Sequence, residues 1–488
     1  MQTWKPTAEH QAFIRQYAKA LESGDVALFA GAGLSRAAGF VDWRSLLKDI
    51  AAELKLDVDR EADLVALAQY HVNAKKNRSR INQVLIDELT RSAARTRNHE
   101  LIARLPIPAV WTTNYDQLLE RAFEDAGKTV DIKVSQEHLA QTRRGRDLTL
   151  YKMHGCVTMP HEAVLTKDDY EQYERRRPLF VESLKGDLVG RTFLFVGFSF
   201  TDPNIDYILS RVRTLLGPNQ RQHFCIMRKT PRPARLVGVN KAQFEYEQRK
   251  TELRQADLLR FGIETVWIDE FQHLESLLHS LSAFVHRKTI FFSGSARTSA
   301  PLGTPRLENL ARGLGGRIIR EGFRLACGFG YGLGEQCVLG ALEALHAEFK
   351  SKETDRLHIR PFPRASDPAA QAAQNTTHRE ELLSQSGIVI VVSGNRNDGA
   401  GGIVNSPGVF EEVEIARRLG KFIVPIGATG HAAHEVWKRA ITNPSHYLPG
   451  LSVDTHLQVL GNATASNDQL LQATLAILSA AERAVVGQ

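Results

Sequence analysis

The stretch Asp25–Ser45 reads DVALFAGAGLSRAAGFVDWRS, and how it is parsed decides the fold. Asp25–Ala30 is an apolar run of buried-strand length. It breaks at Gly31-Ala32-Gly33-Leu34-Ser35, after which helix-forming residues resume. A strand that enters a glycine turn and leaves as a helix makes a cradle for a diphosphate. Glycines let the backbone approach without an intervening side chain, and the free N–H groups of the helix start face the charge. A Gly-x-Gly pair alone is common in turns. The third glycine of the dehydrogenase fingerprint is replaced by Arg36, which disfavours hydride transfer.

Outward from this turn, strand-like runs recur at Ala109–Thr112, Thr149–Met153, Thr192–Val196, His223–Met227 and Thr265–Ile268. A helical lead-in precedes Asp25, and residues from about Leu46 to Arg104 read as inserted helices with 3.6-residue periodicity. A second cycle begins at Thr289–Phe292, again running into a glycine turn. It continues through His358–Pro361, Gly387–Val392 and Phe422–Pro425. Alternating strands and helices predict parallel sheets covered on both faces. The expected fold is α/β in two domains, 1–286 and 287–488, with the boundary near Arg287.

Bulk properties agree with this and exclude several classes. A chain of 488 residues exceeds one ordinary core. Hydrophobic residues at 43% and charged residues at 24% fit a globular chain and not a disordered one. The apolar runs are too short to cross a bilayer and the opening residues MQTWKP hold no apolar leader, so neither membrane nor secretion is expected. Cys156, Cys225, Cys327 and Cys337 form no C-x-x-C pair. That argues against a zinc ribbon, a bound metal and a disulfide framework, and it suits a reducing cytoplasm. The net charge of +7 is interleaved with acids, which reads as a mixed solvated surface and not a nucleic-acid interface.

Three short pieces follow the glycine turn, each at an expected strand end. They are Thr113-Asn114-Tyr115-Asp116, Met153-His154-Gly155 and Gly197-Phe198-Ser199-Phe200, the last followed by Thr201-Asp202-Pro203-Asn204. Each has a plain structural reading. His154 can be a hydrogen-bonded core histidine, Asn114 can cap a helix Tyr115–Phe123, and Asp202 can be a turn residue.

In this order, however, they resemble the sirtuin family. Gly31–Ser45 is similar to its nucleotide loop, with Phe40, Val41 and Trp43 in place of the family's Ile, Pro and Phe, while Asp42 and Arg44 fit. The resemblance implies NAD as substrate, with Asn114 and His154 catalytic. It implies NAD contacts for Gly31, Ala32, Gly33, Ser35, Asp42, Arg44, Asp116, Gly197, Ser199 and Asp202. Deacylating sirtuins carry a four-cysteine zinc ribbon that this sequence lacks. Water is therefore the expected acceptor, giving nicotinamide and ADP-ribose. The alternatives are a protein deacylase, an ADP-ribosyltransferase, or a nucleotide sensor without turnover.

In the second half, Phe292–Arg297 (FSGSAR), Arg324–Gly334 (RLACGFGYGLG), Val392–Arg396 (VSGNR) and Gly401–Gly420 (GGIVNSPGVFEEVEIARRLG) set four loops at successive strand ends. Over about Thr289–Gly430 this is similar to the SLOG family, a Rossmann-like nucleotide fold. Enzymatic members carry P-G-G-x-G-T-x-x-E, whereas Pro407-Gly408 is followed here by Val409-Phe410-Glu411-Glu412. The lost glycines favour ligand sensing over catalysis. The expected signal site comprises Gly294, Ser295, Arg297, Arg379, Arg396 and Glu411, with the arginines clamping phosphates. A sirtuin-like domain followed by SLOG resembles the effector family of Thoeris antiphage defence. That implies a homotetrameric NADase, activated by a cyclic ADP-ribose isomer from a TIR-domain partner.

Overall fold

The computed structural model describes residues 4–40, 43–89, 93–200, 202–233, 238–348, 356–363 and 367–484. Its packing separates into two units, Met1–Leu281 and Ser282–Gln488, and each is described by itself. The first unit opens with the helix Ala8–Ser23, whose start is closed by a capping box between Thr7 and His10. His10 Nε2 lies 2.7 Å from the Trp267 carbonyl oxygen and ties this helix to the sheet.

The strands β1 (Val26–Ala30), β2 (Ala109–Thr112), β3 (Val130–Lys133), β4 (Leu148–Lys152), β5 (Thr192–Val196), β6 (His223–Arg228) and β7 (Ile263–Ile268) form one sheet. Its order is β3-β4-β2-β1-β5-β6-β7, and every pairing is parallel. β1 and β5 are buried at every position, as central strands covered on both faces must be. Phe29 and Phe195 stack across them at 5.5 Å, and each such ring, fully buried, contributes roughly 1.5–3 kcal/mol. From β1 the chain builds the sheet toward β3. It then returns to start β5 on the other side of β1. The crevice at the carboxyl ends of β1 and β5 is therefore the topological switch point, where open α/β sheets hold ligands.

The insertion before β2 is helical, with Trp43–Leu46, Lys48–Glu53, Leu64–Lys75, Ser79–Leu89 and Arg97–Arg104. Leu47, Ile50, Leu67, Ile81 and Leu85 give it a small core of its own, which Ala163 and Leu165 complete. Two local features differ from the sequence reading. β3 is an additional edge strand, hidden by the charges in Val-Asp-Ile-Lys; Asp131 and Lys133 are both buried and pair at 2.9 Å. The helix after Asn114 begins at Leu118, so Asn114 does not cap it.

In the second unit, β8 (Thr289–Ser295), β9 (Arg324–Cys327), β10 (Leu357–Ile359), β11 (Ile388–Ser393) and β14 (Phe422–Ile426) form a parallel sheet, in the order β10-β9-β8-β11-β14. Its switch point lies between β8 and β11. Between β11 and the helix Pro407–Arg418, β12 (Asn395–Asn397) and β13 (Ile403–Asn405) make an antiparallel hairpin where the sequence suggested only a glycine-rich loop. Among the described residues no helix is long and apolar enough to cross a membrane.

His223 on β6 links sequence to pH response. Its Nδ1 accepts the Phe193 N–H at 3.1 Å, a role open only to an unprotonated nitrogen. Burial, with Arg221 adding to it, pushes this imidazole down from 6.5 to about 4. The stability it contributes is present above pH 6.5 and is lost as pH falls through about 4. The whole loss is on the order of 3 kcal/mol. Urea unfolding of the first unit from pH 7 to 4 should show it. His223→Gln, whose amide oxygen can accept the same N–H, should flatten the dependence.

Candidate active site

At the first switch point the glycine turn is held against the protein's own backbone. The Gly31 N–H donates to Val196 O and the Gly33 N–H to Gly197 O, both at 2.9 Å. A Cβ on Gly31 would lie 2.4 Å from Gly197 O, and one on Gly33 would lie 2.9 Å from Gly197 Cα. Gly197 itself has φ +65. These three glycines thus permit contact between two loops, a demand that comes before any ligand. Ala32 and Gly33 remain exposed where the short helix Ala32–Ala37 starts. Phe198 and Phe200 turn inward to pack with Phe195, and Ser199 between them is exposed.

Asn114, after β2, reaches under this turn. Its Nδ2 donates to Gly31 O at 3.0 Å and to Ser35 Oγ at 2.9 Å. Gly31 O can only accept, which settles which end of the amide faces it. Both amide hydrogens are thereby committed, and the Asn114 oxygen is what remains to meet a ligand. Ser35 Oγ donates onward to Asp116 Oδ2 at 2.5 Å, and Asp116 Oδ1 accepts the Leu118 N–H at 2.9 Å. The Asp116 carbonyl accepts from Lys152 Nζ, which also bonds Glu120 Oε1 at 2.5 Å. Burial alone would lower the Lys152 ammonium, but Glu120, Cys156 and Asp116 outweigh it and hold the group above the usual lysine range.

His154 follows β4 and is 2% exposed. Its ring meets Tyr170 and Tyr173 edge-on, with centroids at 5.4 and 5.9 Å. Nε2 has no hydrogen-bond partner among the described residues and lies 3.4 Å from Asp202 Oδ2. Burial depresses its pKa below the usual histidine value; Asp202 opposes this and Arg177 reinforces it. The ring is therefore neutral at pH 7 and able to accept a proton.

The expected residues thus sort into groups. Gly31, Gly33, Ser35, Asn114, Asp116 and Gly197 come together in one hydrogen-bonded or packed network, and His154 meets Asp202. Arg44 does not join either; its guanidinium bonds the carbonyls of Val58 and Glu61. Asp42 lies outside the described residues. A cavity of about 380 Å³ opens beyond Tyr173 and Val164, among Ser135, His161, Asp169 and Arg177, and none of the glycine-turn residues lines it. Among the described residues, no group of three or more His, Cys, Asp or Glu is placed to hold a metal ion.

In the second unit, Asn395 plays the organising part. Its Oδ1 accepts the N–H groups of Arg297 and Thr298 at 2.7 and 3.0 Å, and its Nδ2 donates to Thr298 O and Ser393 Oγ. Ser295 Oγ donates to Asn395 O at 3.2 Å, and Gly294 packs against Val392 O. The Arg297 guanidinium sits 3.5 Å over the Tyr331 ring. Arg379 and Glu411 are brought together at 2.8 Å, and Thr376 Oγ1 donates to Glu411. Arg379 Nε also lies 3.5 Å from Glu412, which accepts from Ser293 Oγ at 2.5 Å. Burial raises the Glu412 carboxyl above its usual range, against the pull of Ser293 and Arg379. Arg396, exposed on β12, takes no part in this network among the described residues.

Residue-by-residue reading missed Lys152 with Glu120, Asn395 and Glu412. Lys152 did carry a signal: a lysine interrupting an apolar strand directly before His154-Gly155 needs a buried partner. Asn395 and Glu412 carried none, because short-range patterns do not say which polar residue of a loop turns inward.

Comparison with known proteins gives a consistent picture. The family described as "SIR2-like domain" matches residues 108–254, and the "Sir2- and TIR-associating SLOG family" matches residues 273–481. The protein named NAD(+) hydrolase ThsA from Bacillus cereus (strain MSX-D12) is 42% identical over 442 residues, covering 90% of this chain and 91% of that one. Its namesake from Acinetobacter baumannii (strain 532279) is 42% identical over 450 residues, covering 91% and 93%. That from Cytobacillus dafuensis is 36% identical over 484 residues, covering 97% of each chain.

The buried Lys152–Glu120 pair offers a direct check. Lys152→Met leaves Glu120 buried without its cation and should cost about 3–5 kcal/mol. Adding Glu120→Leu should recover most of that loss, as read by urea unfolding.

Proposed function

The chain belongs to the ThsA family of NAD(+) hydrolases, and we propose that it cleaves NAD to nicotinamide and ADP-ribose with water as acceptor. We further propose that residues 287–488 sense a cyclic ADP-ribose-type nucleotide that switches on the NAD-hydrolysing residues 1–286. The observation that carries this reading is likeness over 90% or more of both chains to proteins named NAD(+) hydrolase ThsA.

The site's chemistry supports the reaction. Breaking the bond between nicotinamide and ribose leaves an oxocarbenium-like sugar, and nicotinamide is a good neutral leaving group. The protein has to orient the ribose, bring water to its C1′ and remove one proton. With both Asn114 amide hydrogens committed, its oxygen can accept from the attacking water or from a ribose hydroxyl. His154, neutral at pH 7, takes the proton that the water loses. The exposed start of Ala32–Ala37 with Gly33 and Ser199 would hold the diphosphate and the adenosine ribose. Water fits as acceptor because residues 1–286 contain two cysteines, too few for a four-cysteine ribbon.

For the sensing unit, the support is the SLOG match and a preformed charge cluster at its switch point. Arg379, paired with Glu411 beside Glu412, would exchange carboxylate for nucleotide phosphate. In a bacterial cell, NAD depletion triggered this way would serve antiphage defence. The signal would come from a TIR-domain protein, and the enzyme would work in the cytoplasm as a homotetramer.

Two measurements test this. Purified protein is incubated with NAD, with and without cyclic ADP-ribose isomers, and nicotinamide and ADP-ribose are quantified. Wild type should form both in equal amounts, and Asn114→Ala should lose at least about a hundredfold of the rate, roughly 2.7 kcal/mol of transition-state stabilisation. No NAD loss under any condition overturns the reading. Arg379→Lys keeps the charge beside Glu411 but loses the planar fork. It should need at least about tenfold more activator, equivalent to about 1.4 kcal/mol. An unchanged response would remove Arg379 from the sensor.

A further inference from the structure

We propose that Asp202 is the positioning residue of His154: its carboxylate, fixed at the start of the helix Pro203–Leu216, engages Nε2 and leaves the other ring nitrogen to take the proton of the reaction. This rests on the hydrolytic reading of His154 given above. It replaces the expectation that Asp202 meets the cofactor.

The case begins with an unmet demand. A buried imidazole nitrogen without a partner is costly, and His154 Nε2 is such an atom among the described residues. Asp202 Oδ2 lies 3.4 Å away, near enough to accept an Nε2–H···Oδ2 bond once ring and carboxylate align. Asp202 itself is not free to drift. Its Oδ1 accepts the N–H groups of Asn204 and Ile205 at 3.0 and 3.2 Å. Pro203 sets the first helical position behind it, and the helix N-terminus favours a carboxylate there. The Tyr170 hydroxyl also bonds this carboxylate.

The other groups facing the ring define what Asp202 adds. Tyr170 and Tyr173 close two sides of it. Arg177, whose guanidinium bonds the Val134 and Glu162 carbonyls, opposes a positive ring. Asp202 is the one carboxylate among them. When water adds to the ribose C1′, the electron pair of the C–N bond leaves with nicotinamide and the water's proton passes to the ring. The resulting imidazolium then lies against an anchored carboxylate. An aspartate so placed both selects the tautomer and stabilises that cation.

Asp202→Asn tests this, because asparagine preserves the helix cap while removing the charge. NAD hydrolysis by the full-length chain is followed from pH 5 to 9, with cyclic ADP-ribose isomers present, beside Asp202→Ser and His154→Ala. The expected result is a 10–100-fold fall in kcat for both Asp202 variants with KM within about twofold. The acid limb of the pH profile should move to lower pH, since the neighbour that favours the protonated ring is gone. An unchanged kcat, a fall in kcat with an unmoved acid limb, or an effect confined to KM, as for a cofactor contact, each overturns the proposal. If His154→Ala remains fully active, the hydrolytic role of His154 fails instead, and the two failures are told apart.

Discussion

The contact on which the first unit depends is backbone against backbone: Gly31 and Gly33 lie on Gly197 with no room for a side chain between. It joins the loops after β1 and β5, the two strands that flank the switch point, and it sets how far their carboxyl ends stand apart. Every other member of the site is referred to that contact. Asn114 is fixed because Gly31 O accepts from it, Ser35 because Asn114 donates to it, and Asp116 because Ser35 does. Lys152 carries the constraint to β4, the strand that delivers His154. A cluster held this way needs little rearrangement to present a fixed acceptor to a ligand.

What was legible in the sequence follows from where burial is uniform. Central strands such as Ala109–Thr112 and Thr192–Val196 are continuous apolar runs because both faces are covered, and their limits agree with the structure. The glycine turn was legible because glycine is required there, and the requirement that the structure shows is loop packing against Gly197. β3 was illegible because an edge strand tolerates charge when Asp131 and Lys133 satisfy one another. The β12–β13 hairpin was hidden by its glycines, which read as loop. Arg44 fits a family pattern by position but spends its donors on Val58 and Glu61, a partnership between segments that no local pattern reports. Asp202 was noticed as a helix-start residue, and that role is real. What the sequence could not express is that the same carboxylate has a second oxygen facing a histidine 48 positions earlier in the chain.

The two units apply one device to different chemistry. In each, the chain reverses its direction of sheet growth, and an asparagine after one strand ties its loop to the loop after the neighbouring strand: Asn114, after β2, to Gly31 and Ser35 after β1, and Asn395, after β11, to Arg297 and Thr298 after β8. Asparagine suits the task because one planar group both donates and accepts without adding charge. The first unit then sets a neutral histidine nearby, which suits proton transfer. The second sets an arginine between two glutamates, one of them buried, which suits exchange of one anion for another.

The wall over His154 sets the surroundings of that ring. From Gly155 onward the chain turns back, and Tyr170, Tyr173 and Arg177 close around the ring with Val164 bonded to the His154 carbonyl. The buried hydroxyl of Tyr173 bonds Met153 O, and Arg177 bonds three separate carbonyls, so the wall is tied to the frame at several points. Breaking any of those bonds in this buried setting would cost about 1–3 kcal/mol for each group left unsatisfied. The same closure depresses the His154 pKa, so the desolvation of the ring and the fixed position of its neighbours are two consequences of one packed wall.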